Sequence, residues 1–175
     1  PKNIYQVMSG NRGDLLPNEV IKNIEFIKNQ NKDWNYKLYR DDEIISFIKE
    51  NYSKDILNTY LSINKEYGPA RADLFRYLLI YKLGGVYMDI KTAPKRKLNN
   101  IIKDNDEIIF SYWVWPAHNK LLKNEFGEIQ NFYIISIANS PFLKEVIQNV
   151  IENIKNYNLE KDGVGRKALL YVTSS

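Results

Sequence analysis

Pro69-Ala70-Arg71-Ala72-Asp73-Leu74-Phe75-Arg76-Tyr77-Leu78-Leu79-Ile80-Tyr81-Lys82-Leu83-Gly84-Gly85-Val86-Tyr87-Met88-Asp89-Ile90-Lys91 sets a helix directly before a strand. Pro69 suits a first helical turn, where its missing N–H costs nothing, and the helical pattern runs to about Leu83. Gly84-Gly85 stops it, because paired glycines admit backbone conformations closed to other residues. Val86 to Ile90 then has strand character. The helix is nearly apolar all round, the pattern of a helix buried against a sheet. Asp73 and Arg76 are set into that apolar surface three residues apart and share one face. By themselves they read equally well as an ion pair that satisfies itself. The strand's period of two sends Val86, Met88 and Ile90 to one side and Tyr87, Asp89 and Lys91 to the other. Two ionisable groups therefore emerge together at a strand's carboxyl end. A lone aspartate there is ordinarily a turn or cap residue, but the glycine pair and the Asp/Arg helix ahead of it make the combination specific.

Outward from this stretch, strands and helices continue to alternate. Ile4 to Met8 predicts a strand, and the glycine-punctuated loop Ser9 to Asp14 follows it. Pro17 opens a helix in which Val20, Ile21, Ile24 and Ile27 recur at helical spacing. Trp34 to Tyr39 predicts a second strand, and Arg40-Asp41-Asp42-Glu43 can cap a helix through Ile44 to Ile48. Tyr52 to Tyr67 predicts a further helix, and Lys91 to Asn100 a basic, turn-rich segment. Glu107 to Trp115 and Phe132 to Ala138 predict strands. Ser140-Pro141 starts a helix with Phe142, Val146, Ile147, Val150, Ile151 and Ile154 on one face. This alternation predicts an α/β fold with a mostly parallel sheet, whose ligands sit beyond the carboxyl ends of the strands. With no repeat and no linker, residues 1–175 read as a single domain.

Composition bounds the chemistry. Of the 175 residues, 44% are hydrophobic and 26% charged, which excludes disorder as the main state. Apolar runs stop far short of the roughly 20 residues of a bilayer span, so no transmembrane segment is expected. The chain begins at Pro1 with no apolar leader, so no signal peptide is expected either. There is no cysteine and one histidine, His118. Thiolate zinc sites and cysteine nucleophiles are thereby excluded and a histidine metal cage is not expected, leaving carboxylates, hydroxyls, amides and cations. The net charge of +4 is spread without a basic block, so a nucleic-acid-binding module is a minor reading, and no nucleic-acid partner is expected. Trp113, Trp115 and His118 cluster after a strand, where Trp113 reads as core. Lys95-Arg96-Lys97 reads as a solvated loop, and Gly163-Val164-Gly165-Arg166-Lys167 lacks phosphate-loop spacing.

The stretch Ala72 to Lys91 resembles the GT-A glycosyltransferases of the DXD sugar-binding type, glycosyltransferase family 32. These are related to yeast initiating mannosyltransferases and bacterial capsule or lipooligosaccharide transferases. Pro1-Lys2-Asn3-Ile4-Tyr5-Gln6 is similar to that family's opening strand, and Trp34 to Asp42 to its second. Asn139-Ser140-Pro141-Phe142 is similar to a segment ending in His-Pro-Phe.

The resemblance implies a Rossmann-like GT-A fold, truncated at its C-terminus, where Ser174-Ser175 stands in place of a Gly-Pro. It implies sugar transfer, with retention, from a UDP- or GDP-linked donor to a glycan or protein acceptor. Asp89 and Arg76 are the implied catalytic residues. Tyr5, Gln6, Asp73, Arg76, Tyr87, Asp89 and Lys91 form the implied donor site, and Asp89 is the metal ligand. A divalent cation, manganese or magnesium, would offset the diphosphate's charge. This chain departs from the pattern in having Lys91 at the second Asp, Tyr5 for His and Met8 where relatives often carry Trp. Lys91 leaves two alternatives open: a transferase that needs no metal, or a nucleotide-sugar-binding domain without turnover.

Overall fold

In the computed structural model, which describes residues 1–9, 15–113, 128–163 and 173, β1 (Asn3–Met8) is the pivot of the sheet. It runs parallel to β2 (Asn35–Arg40) on one edge and to β3 (Gly85–Met88) on the other. β7 (Tyr133–Ser136) is antiparallel to β3, and β4 (Ile108–Ile109) is antiparallel to β7. The order is β2-β1-β3-β7-β4, with β7 alone reversed. Two shorter strands, β5 (Tyr112–Trp113) and β6 (Glu128–Ile129), pair separately.

The alternation of side chains across the sheet divides the core into two layers. Tyr5, Val7, Tyr39, Tyr87 and Ile134 face one cluster with α2 (Asp41–Asn51), α3 (Lys54–Ser62), α4 (Gly68–Leu83) and α5 (Pro141–Asn156). Ile4, Val86, Met88 and Ile135 face the other, with Ile27 of α1 (Asn18–Gln30) and Leu98 of a short 3-10 turn (Leu98–Asn100). A short α6 (Leu159–Asp162) follows α5. The apolar character of α4 now has its reason. Asp73 through Ile80 are all buried, because α4 lies between the sheet and the helices beyond it. Each Leu or Phe buried there contributes about 1.5–3 kcal/mol.

Three predicted elements differ in the structure. The helix expected over Tyr52 to Tyr67 is confined to α3. Ser53 caps it, its hydroxyl accepting from the Ile56 N–H at 3.4 Å. Asn64 then accepts the Glu66 N–H on its side chain at 3.0 Å and the Tyr67 N–H on its carbonyl at 2.9 Å, a local turn that displaces further helix. The strand expected over Glu107 to Trp115 splits at Phe110-Ser111, because β4 pairs with β7 while β5 pairs with β6. On α5, Leu143 rather than Phe142 joins Val146, Ile147 and Val150 in the core. Phe142 is displaced about 100° round the helix and meets Phe110 edge-on at 4.7 Å between ring centroids.

Candidate functional site

From β1 the chain leaves to one neighbour, β2, and returns from β2 to the other, β3. That reversal makes the carboxyl ends of β1 and β3 a topological switch point, where open α/β sheets bind ligands. Asp89 follows β3 directly, and its backbone N–H donates to the Phe132 carbonyl at 2.9 Å.

α4 carries the partners of Asp89. Arg76, only 4% exposed, holds Asp73 Oδ1 at 2.5 Å and Asp89 Oδ1 at 3.2 Å through Nη2. Its Nη1 donates to the Asn131 carbonyl at 2.7 Å, and its guanidinium sits 4.8 Å from the centre of the Tyr87 ring. The Tyr87 hydroxyl donates to Asp89 Oδ1 at 2.7 Å. Asp73, 7% exposed, also bonds the side chain of Thr173, whose carbonyl accepts from the Tyr77 hydroxyl at 3.5 Å. The Asp89 side chain is 40% exposed and brings a carboxylate to the surface of this otherwise buried network.

Electrostatics follow from burial. Burial pushes the Asp73 carboxyl above its usual range, with Arg76 opposing. Burial also works against the Arg76 charge, but Tyr87, Asp73 and Asp89 outweigh it and the shift is upward. Burial raises the Tyr87 hydroxyl well above the usual phenol range, so it stays protonated as a donor to Asp89.

Beneath Asp89, the loop that carries Lys91 is clamped from inside. Gln6 is fully buried. Its amide donates to the carbonyls of Asp89 at 2.9 Å and Thr92 at 3.4 Å, while its Oε1 accepts from the Tyr36 hydroxyl at 2.8 Å. Asn23 of α1 donates to the carbonyls of Ile90 at 3.0 Å and Thr92 at 3.1 Å. Replacing Gln6 with leucine leaves the half-buried Tyr36 hydroxyl without its acceptor and the Asp89 carbonyl without its amide donor. A loss of about 1–3 kcal/mol in urea-denaturation stability is expected, and a loss below about 0.5 kcal/mol would show that the clamp is not needed.

Asp73, Arg76, Tyr87 and Asp89 are thus brought into one network. Gln6 lies under it as a support for the loop, and Lys91 is exposed on the loop. Tyr5 stands apart. It is 5% exposed, packs against Tyr39 with ring centroids 6.1 Å apart, and bonds the Asn3 side chain, so it serves the core. Trp115 and His118 lie outside the described residues, as do most of the Ser9 to Asp14 loop and all but Gly163 of the 163–167 glycine loop. Sequence reading missed Asn23, Tyr36, Asn131 and Thr173. Only Asn23 left a signal there: a polar residue on the apolar stripe formed by Val20, Ile24 and Ile27.

The strand-end carboxylate does not come with a cation cage. Among the described residues, no three His, Cys, Asp or Glu side chains converge. Oδ1 of Asp89 is already engaged by Tyr87 and Arg76, and the carbonyls of residues 89, 90 and 92 receive amide N–H groups. Such a donor set does not fit a resident divalent cation.

The α/β sheet with this switch point has the GT-A fold of solved glycosyltransferase domains. Similar solved structures include the PaToxG glycosyltransferase, with a TM-score of 0.69 and 15% identity over 98% of this chain and 65% of that one. The UDP-bound glycosyltransferase domain of the YGT toxin is similar at a TM-score of 0.57 and 8% identity, covering 97% of this chain and 66% of that one. The family model described as "glycosyltransferase sugar-binding region containing DXD motif" matches residues 17–108, more than half of the chain, and the chain belongs to that family. Among curated relatives, a mannosyl phosphorylinositol ceramide synthase of Saccharomyces cerevisiae is 28% identical over 157 residues, which is 90% of this chain and 37% of that protein. The chain therefore spans well under half the length of that relative.

Proposed function

We propose that this chain forms the donor-binding domain of a glycosyltransferase that takes a sugar from UDP or GDP and passes it to a hydroxyl of a glycan or protein. The observation that carries the reading is the Asp89 carboxylate, held by Tyr87 and Arg76 at the carboxyl end of β3 and partly open to solvent. A carboxylate fixed in this way can accept hydrogen bonds from sugar hydroxyls in a set orientation. In the transfer, the bond between the anomeric carbon and the diphosphate oxygen breaks, and its electron pair leaves with the diphosphate. The acceptor oxygen bonds to that carbon on the same face and gives up its proton to the departing diphosphate, so the configuration is retained. The name of the fungal relative, a mannosyl phosphorylinositol ceramide synthase, and bound UDP in the toxin domain support a nucleotide sugar as donor. Lys91 favours a second reading, a domain that binds the nucleotide sugar without turning it over.

A thermal-shift panel of UDP-glucose, UDP-galactose and GDP-mannose in manganese-containing buffer tests the donor site. A donor at 100 times its Kd adds about 2.7 kcal/mol. In a chain of this size that raises Tm by roughly 5–10 °C. Asp89→Ala is expected to abolish the shift. If no donor moves Tm, or if Asp89→Ala leaves the shift intact, the donor-site reading is wrong. Release of free sugar or of nucleoside diphosphate separates turnover from binding alone.

A further inference from the structure

We infer that Lys91 supplies the positive charge a nucleoside diphosphate needs at this site in place of a divalent cation, so that donor binding is independent of metal; this rests on the donor-site reading. A diphosphate arrives with at least two negative charges and leaves with one more once the sugar bond has broken. Something cationic has to stand beside it.

Among the described residues, the groups near Asp89 that could hold a metal are already occupied, apart from the second carboxylate oxygen of Asp89 itself. Asp89 Oδ1 accepts from Tyr87 at 2.7 Å and pairs with Arg76 at 3.2 Å. The carbonyls of Asp89, Ile90 and Thr92 are taken by the side-chain amides of Gln6 and Asn23. Because Gln6 is fully buried, the carbonyls it binds are turned toward the protein interior. What remains is one carboxylate beside a guanidinium, and that guanidinium would repel a divalent ion.

The Arg76 charge is equally unavailable to a ligand. It is buried and shared among Asp73, Asp89 and the Asn131 carbonyl. Lys91 is different: it is exposed and forms no ion pair with any described residue. The carbonyl of the preceding residue, Ile90, is pinned by Asn23 and that of the next, Thr92, by both Gln6 and Asn23, so the base of the side chain is fixed while its stem is free to swing. A flexible ammonium on an anchored loop, two residues beyond the strand-end carboxylate, is a point charge suited to phosphate oxygens. Lys95, Arg96 and Lys97, exposed further along the same segment, add to the field without that anchoring beside Asp89.

The test is calorimetric titration of UDP-glucose, UDP-galactose, GDP-mannose and the free nucleoside diphosphates, each in EDTA and in manganese. The native protein is expected to bind in EDTA, with less than about a threefold gain from manganese. Lys91→Met is expected to weaken binding in EDTA about tenfold, the scale of one partly exposed charge-assisted contact. Lys91→Asp, which restores a second carboxylate, is expected to lose still more in EDTA and to recover about tenfold or more in manganese. Lys91 forms no ion pair with any described residue, so both variants should keep the parent Tm without ligand. Binding by the native protein only in manganese, or equal affinity of Lys91→Met and native protein in EDTA, would overturn the role of Lys91 and leave the donor site standing. If no nucleotide binds in either buffer, the donor-site reading falls and Lys91's role with it.

Discussion

Arg76→Met is expected to lower unfolding stability by about 3–5 kcal/mol and to abolish donor binding. Methionine keeps much of the arginine's length and packing volume but removes the charge and all the guanidinium donors. Asp73, 7% exposed, then has no cation beside it, and breaking a buried pair from one side is far costlier than never having built it. The Asn131 carbonyl loses its 2.7 Å donor, and Asp89 keeps only the Tyr87 hydroxyl. The loss should depend on pH in a definite direction. Burial already raises the Asp73 carboxyl above its unfolded value, and without Arg76 it rises further. A group raised on folding contributes its stability fully below its unfolded pKa and loses that contribution as pH rises through its folded one. The deficit of Arg76→Met against the native protein should therefore narrow as pH falls from 8 toward 5. Urea denaturation at both pH values measures it. A deficit below about 1 kcal/mol, or one that widens on acidification, would show that Arg76 is not the counter-charge of Asp73. Arg76→Lys should fall between the two, since one ammonium cannot reproduce a fork that serves two carboxylates and a carbonyl.

How far the sequence could anticipate this network depends on which of its bonds are local. Asp73 and Arg76 are three apart on one helix, and Tyr87 and Asp89 are two apart at the end of one strand. Both pairings follow from helical and strand periods. That the two pairs meet follows from the short Gly84-Gly85 connection, which folds α4 back against β3. The clamp beneath Asp89 was less accessible. Gln6 and Asn23 reach backbone carbonyls 83 and 67 residues away, and carbonyls have no sequence signature. Asn131 likewise contributes only its backbone to Arg76.

Tyr5 shows how strand alternation acts on a single position. Its position in the opening strand suggested a ligand contact, but the strand's alternation puts it with Val7 among the aromatic core residues Tyr39 and Phe75. The same alternation puts Gln6 on the face toward α1 and the Asp89 loop. Among the strands, β1, β2, β3 and β7 were legible because long apolar or alternating runs mark them. The break between β4 and β5 was not, because it reflects which partner each piece finds, a non-local choice.

Gly84→Ala and Gly85→Ala are each expected to cost about 3–5 kcal/mol, more than alanine substitution at most sites in this chain. Gly84 has φ of 65° and ψ of −176°, and Gly85 has φ of 103°, backbone regions costing a non-glycine residue about 1–3 kcal/mol. Collision adds to strain. A Cβ on Gly84 would stand 2.7 Å from the Ala138 backbone nitrogen, and one on Gly85 would stand 2.7 Å from the Asn3 carbonyl oxygen. Neither neighbour is a flexible side-chain end that can move aside, so relief requires shifting β1 or the turn after β7, worth about 1–3 kcal/mol more. Gly163→Ala isolates the first effect, because Gly163 has φ of 74° with no described atom within 4 Å of its Cβ position; about 1–2 kcal/mol is expected there. The glycine pair also reaches the site. Pushing β3 off Asn3 separates β3 from β1, and with it Asp89 from the Gln6 amide that holds its carbonyl. Gly85→Ala should therefore lower donor affinity in whatever fraction remains folded, whereas Gly163→Ala should not. Urea denaturation and donor titration of the three variants decide this. Equal losses at Gly85 and Gly163 would mean that strain alone matters and that the close approach of β3 to β1 does not set the position of Asp89.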